Sequence, residues 1–283
     1  MKIDEKNRLV ICVPKKFLVT KLDIWDKNLT SMFFFTYCEI DKWRTFQYEK
    51  SMFRNSIIGL LDAYGKPFNF KTGVLSKYGE HIIHSLEFME KEEMIKLVKG
   101  DYHNPLRQFV IEINKDNFLS GNYVRMPVCY YDFILESNAS LKKENLLHVL
   151  LYTLVPVIKK TTTNPQTYEV ETIYYQVYSE SNKQTADKIG ISEKTINKCL
   201  SVLSGRECDR KPLVFHRPNW AYDKFHGMPN IYTENTDGWQ QRIRAELEYY
   251  ENRNTNREKQ SNENNISDDL SVFDNGLPDD ELY

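Results

Sequence analysis

A chain of 283 residues with 41% hydrophobic and 13% aromatic content can build one large or two modest domains with real cores, which excludes disorder of the whole. The net charge of -2 hides a split, because Ser261–Tyr283 holds seven acids (Glu263, Asp268, Asp269, Asp274, Asp279, Asp280, Glu281) and no Lys or Arg. The rest is a mildly basic body of about +5, compatible with a polyanionic partner. The five cysteines (Cys12, Cys38, Cys129, Cys199, Cys208) are widely spaced with no CxxC pair, and MKIDEKNRLV carries no apolar signal region. That is the usage of reduced thiols in a cytoplasmic protein. The longest apolar candidate, Leu146–Ile158, is interrupted by His148, Thr153 and Pro156 and falls short of the ~18–20 residues of a membrane helix, so no membrane association is expected.

In chain order, Arg8–Val13 reads as a short strand ended by Pro14. Leu29–Ile40 is apolar all round, so periodicity leaves helix and strand open. Ser51–Ala63 places Phe53, Ile57, Leu60 and Leu61 at helical spacing, and Gly65 and Pro67 stop it. His81–Lys99 reads as a second helix and Phe109–Ile113 as an alternating strand. A new cycle starts after Asn122: Tyr123–Met126 is a strand ended by Pro127, followed by an amphipathic helix over Leu141–Ile158. Strand, Pro14 and an apolar helix to Tyr37 thus parallel strand, Pro127 and an apolar helix to Tyr152. Two related domains in tandem explain this; so does chance similarity in an apolar-rich chain. A further strand falls near 172–178. Beyond Glu251, NRNTNREKQSNENN has no apolar residue, so it reads as a disordered linker to the acidic tail. The expected division is 1–120, 121–251 and 252–283.

The segment Asn182–Leu203, NKQTADKIGISEKTINKCLSVL, carries the strongest signal. Ser181 or Asn182 can cap a first helix that runs to Ile189, and Gly190 supplies the backbone freedom of a tight turn. Ser192 caps a second helix, with Glu193 at its positive end. Ala186, Ile189, Ile191, Ile196, either Cys199 or Leu200, and Leu203 would point inward. This register resembles the helix-turn-helix of the winged-helix family, although Cys199 stands where a larger aliphatic is usual. An ordinary helical hairpin with a glycine turn is the alternative.

The resemblance implies double-stranded DNA as partner. On the second helix Lys194, Asn197 and Lys198 would face base edges, while Ser192, Thr195 and Ser201 suit phosphates. Lys183 and Lys188 on the first helix would set register on the backbone. Pro212–His216 and Asn230–Thr233 read as a hairpin whose connection, Arg217–Pro229, is a basic and aromatic wing with Arg217 and Lys224. Gly238–Glu251 is a closing helix whose stripe of Trp239, Ile243, Leu247 and Tyr250 serves core packing or homodimerisation. The fold class expected is therefore α+β, mainly helical, with tandem winged-helix domains and a disordered acidic tail. The resemblance covers 141–250; within 1–120, which would be a degenerate copy, only the layout matches.

The layout resembles the tandem winged-helix replication initiators of plasmids and phages of low-GC bacteria. That resemblance implies a protein that marks an origin and recruits host replication proteins; the acidic tail reads either as a docking peptide or as a solubilising end that folds over the basic reading head. A transcriptional regulator with the same reading head is the alternative. No enzymatic signature is present: GxxxxGK[ST], GxSxG, HExxH and GxGxxG are all missing. His81 and His84 could share a helix face, but no carboxylate or cysteine pattern beside them completes a metal site, and the spacing of Cys199, Cys208, His216 and His226 matches no common zinc knuckle. No cofactor and no metal are expected.

Overall fold

The computed structural model describes residues 9–19, 27–46, 51–66, 68–118, 123–137, 140–155, 157–163, 170–175, 177–205, 211–218 and 228–253. The fold is α+β, with small sheets packed on a helical core. Strand β1 (Val10–Pro14) leads into α1 (Lys15–Val19) and then α2 (Lys27–Phe46). Met32, Phe33, Phe34, Phe35, Tyr37, Cys38 and Ile40 of α2 are all buried. A helix enclosed on every side needs no polar face, which is why Leu29–Ile40 shows no periodicity.

Strand β2 (Met52–Asn55) precedes α3 (Ile57–Tyr64). The region predicted as one helix from Ser51 is therefore split, because Met52–Asn55 pairs with β4 (Phe109–Ile113). Ser56 caps α3 by accepting from the Gly59 N–H, and Gly65 closes it at φ 78°. Helix α4 (Lys77–Lys91) follows, and β3 (Ile95–Lys99) pairs with β4 in the order β2-β4-β3. The helix predicted over His81–Lys99 thus ends at Lys91. Its last residues form a strand, because their apolar side chains are selected by pairing with β4, a non-local cause. Gly100 (φ 86°) follows β3, where a Cβ would lie 2.2 Å from the Gln108 carbonyl oxygen.

The second half runs from α5 (Lys115–Phe118) through β5 (Tyr123–Pro127), α6 (Val128–Glu136) and α7 (Lys143–Thr153). The helix predicted over Leu141–Ile158 stops at Leu154, because the residue before Pro156 disfavours helical backbone. An antiparallel ribbon, β6 (Val157–Thr163) and β7 (Val170–Tyr175), comes next. The strand predicted near 172–178 is divided between β7 and β8 (Val177–Tyr178). Helices α8 (Asn182–Ile189) and α9 (Glu193–Leu203), strands β9 (Ser204–Gly205), β10 (Leu213–His216) and β11 (Ile231–Glu234), and α10 (239–253) complete the chain. The sheet order is β8-β11-β10-β9. The closing stripe packs inward: Ile243 is buried, and Trp239, Leu247 and Tyr250 lie against Val177, Val214 and Ile231.

The two halves repeat one plan. Helix α2, β2, α3, α4 and the β3–β4 hairpin correspond in order to α7, β8, α8, α9 and the β10–β11 hairpin, and in both the first strand pairs with the last. The leading strands β1 and β5 pair antiparallel, Val10 with Pro127 and Pro14 with Tyr123. A common step along the chain carries Val10 to Tyr123 and Pro14 to Pro127, so this ladder maps onto itself about the Cys12–Arg125 pair. That is the pairing a two-fold relation between repeats produces.

The halves share one core. Helix α2 packs on α7, and α1 reaches α7 and α8. Tyr131 donates to Glu39 (2.8 Å), Lys42 pairs with Asp132 (2.7 Å), and Tyr37 stacks on Phe118 at 4.2 Å while donating to its carbonyl. Asp41, with no exposed surface, accepts from the Cys12 N–H at 2.7 Å and from Arg44 Nε at 2.6 Å, tying α2 to β1. No helix among the described residues is long and apolar enough to cross a membrane. The acidic tail lies outside the described residues.

Candidate nucleic-acid interface

Helices α8 and α9 are built by local chemistry. Ser181 caps α8 in a reciprocal box, accepting from the Gln184 N–H at 3.2 Å while Gln184 Oε1 accepts from the Ser181 N–H at 3.1 Å. Gly190 takes φ 72° and donates to the Ala186 carbonyl at 2.9 Å, so the turn needs a left-handed residue there. Ser192 then caps α9, accepting from the Thr195 N–H at 3.4 Å. Both Cys199 and Leu200 are buried, with Ile189, Ile191, Ile196 and Leu203, and Ala186 is half-buried. Burial pushes the Cys199 thiol up to about 12, which makes it a neutral core group rather than a nucleophile or ligand. The Tyr178 hydroxyl bonds to buried Thr185, fixing α8 to the sheet.

What remains outside is one face. Lys194, Asn197, Lys198 and Ser201 are all exposed on α9. Lys194 with Lys198 and Asn197 with Ser201 are each four residues apart, so the four form a single stripe along about two turns. Lys183 is exposed on α8. Lys188 is engaged with Glu180 at 2.6 Å, so its charge is already partly neutralised by the protein. Ser192 and Thr195 share a hydroxyl–hydroxyl bond of 2.8 Å as well as the cap; their first duty is to hold the helix end. Ser201 donates to the Asn197 carbonyl at 2.9 Å, leaving only its lone pairs outward. Arg217 is exposed just past β10. Lys224 and most of the predicted wing, including Trp220 and His226, lie outside the described residues, as does Cys208. The strands that flank the wing are paired, His216 opposite Ile231.

Arg242 of α10 was not singled out in the sequence, yet it binds the base of this hairpin. Its Nε donates to Thr233 Oγ1 at 2.8 Å and its Nη2 to the Glu234 carbonyl at 2.6 Å. Its signal was only a basic residue on a helix. The first half has a counterpart face on α4, with Lys77, Glu80, His84 and Lys91 exposed and His84 paired to Glu87 at 2.9 Å. That face is of mixed charge. Among the described residues no three His, Cys, Asp or Glu converge on a metal position. The chain matches no family model, and neither a curated protein nor a solved structure is significantly similar to it.

Proposed function

We propose that the unit from α7 to α10 is a winged helix-turn-helix that binds double-stranded DNA in a sequence-specific manner, with α9 as the reading helix. The observation that carries this reading is the exposed stripe Lys194, Asn197, Lys198 and Ser201 on a helix whose opposite face is wholly buried. A capped, core-anchored helix presenting amide and ammonium groups suits major-groove edges. The helix–strand–helix–helix–hairpin order, with the first strand paired to the last, supports the winged assignment. The repeat of this order in the first half supports a tandem arrangement with two units facing the duplex.

We further propose that the chain is a replication initiator or replisome organiser of a plasmid, phage or other mobile element. The tandem layout supports it, as do seven acids interspersed with Ile266, Leu270, Phe273 and Leu277 near the C-terminus, a composition suited to docking a host replication protein. Selection of bound duplexes from a random pool tests both steps. Iterated direct repeats at the selected locus support an initiator, whereas a single palindrome supports a transcriptional regulator. Lys198→Ala and Asn197→Ala should each weaken the selected site by about 1–3 kcal/mol with the fold intact. Unchanged affinity in both variants refutes α9 as the reader, and binding insensitive to salt refutes a duplex contact.

A further inference from the structure

The three most exposed large hydrophobic side chains among the described residues are Phe70 (71%), Val74 (70%) and Leu106 (64%). All three belong to two loops of the first half, residues 65–76 between α3 and α4 and residues 100–108 between β3 and β4. The loops meet at a depression of about 460 Å³ whose lining includes Phe68, Phe70, Gly73, His103, Pro105 and Leu106. Phe70 packs edge-on against buried Phe68, with ring centroids 5.1 Å apart. Asn69 Oδ1 accepts from the Lys71 N–H at 3.0 Å, and Asn104 Oδ1 accepts from the Leu106 N–H at 3.2 Å, so both loops are held in tight turns. The corresponding turn of the second half, residues 190–192, is shorter, and its one large apolar residue, Ile191, is buried. Scattered exposed hydrophobics are ordinary, whereas a cluster brought together by two ordered loops marks an interaction surface.

The same loops and their flanks carry Lys66, Lys71, Lys99 and Arg107, all exposed, against one carboxylate, Asp101. Glu87 of α4 is engaged with His84 and lies 3.8 Å from His103. The complement of such a surface is a segment with apolar side chains set among acids. A second copy of the same surface would bring like charges together. One segment of this chain has the required chemistry: Ser261–Tyr283 holds seven acids and no Lys or Arg, with Ile266, Leu270, Val272, Phe273 and Leu277 among them. Residues 254–265 separate it from Arg253 and extend to at most about 40 Å, comparable with the width of a body of this size.

We propose that residues 266–283 of the same chain dock on this surface, their apolar residues against Phe70, Val74 and Leu106 and their acids against Lys66, Lys71, Lys99 and Arg107. A tethered segment sits at an effective concentration on the order of 1 mM, so a contact with a Kd of about 0.1 mM between separate molecules is enough to keep it bound most of the time. The contact does not depend on the DNA-binding reading. It regulates the docking role of the tail, since a tail held here has to be displaced before it can bind an outside partner.

The test is photo-cross-linking of the full chain. The variant Phe70→p-benzoylphenylalanine, changed at an exposed position that leaves the core intact, is irradiated at low micromolar concentration and the product is mapped by mass spectrometry. A monomer-sized product linked within 266–283 is expected. Raising the salt from about 0.1 M to about 1 M should lower its yield severalfold, because the charges concerned are exposed. Phe273→Ala together with Leu277→Ala should lower the yield at least about fivefold, through the lost apolar contact. The proposal is overturned if no link to 266–283 forms, or if the link appears only in a dimer-sized product, which assigns the surface to the tail of a second copy. It is equally overturned if either the salt or the tail substitutions leave the yield unchanged, as the random collisions of a tethered chain would.

Discussion

His148 offers a direct measurement of how tightly the two halves are joined. It sits on α7 with its ring 4.8 Å from that of Phe34 on α2, and it is almost wholly buried. Desolvation pushes its pKa down to about 4 from an ordinary 6.5. Between those values an unfolded histidine takes up a proton that the folded one refuses. Stability contributed by the neutral ring is thus complete above pH 6.5 and is lost as pH falls towards 4. One unit is worth about 1.36 kcal/mol, so the loss should reach about 2 kcal/mol at pH 5 and about 3 kcal/mol near pH 4. Glu144, one turn earlier, has a raised pKa, so its penalty is relieved on acidification; the total curve mixes the two. His148→Gln isolates the histidine, since glutamine stays neutral throughout. Urea unfolding of both proteins from pH 7.5 to 4 should show the gap closing in favour of the variant by those amounts. Parallel curves would refute the claim that the ring is folded away from water in its neutral form.

Other consequences can be measured in the same way. Asp41→Asn should cost about 3 kcal/mol in urea unfolding, because it leaves Arg44 and the Cys12 amide without their buried carboxylate. Gly190→Ala should cost about 1–2 kcal/mol, the penalty of a left-handed backbone for a residue with a Cβ; a neutral result would mean that the turn relaxes. Replacing Glu80 and Glu87 of α4 together by Gln should tighten binding to duplexes of any sequence and steepen its salt dependence, without altering the preferred site. Gel-shift titration at two salt concentrations reads both, and an unchanged slope places α4 away from the phosphates.

The helix pair 182–203 was legible because its signals are local: two serine caps, one left-handed glycine and an apolar register act within a few residues of themselves. The short strands were not. Met52–Asn55 and Ile95–Lys99 follow or precede helices without a break in composition, and their conformation is decided by β4, from 10 to more than 50 residues away in sequence. Helix α2 was ambiguous for the opposite reason, since burial on all sides erases the periodicity that separates helix from strand. The lone hint of duplication, Pro14 against Pro127, turns out to mark the ends of two strands that pair with each other. Glu144 gave no sequence signal at all, because a glutamate in the first turn of a helix is ordinarily a solvated group that favours the helix dipole.

The repeat and its asymmetry have to be explained together. A shared ladder and a shared core fix the two units relative to each other, so neither can lose its fold without the other. The outward faces carry no such constraint, and there the two differ. Helix α9 shows two lysines and an asparagine in one stripe, while α4 alternates lysine with acids and pairs His84 with Glu87. A face that opposes its own positive charges with carboxylates is poorly suited to any polyanion, which is why neutralising Glu80 and Glu87 is the informative change there.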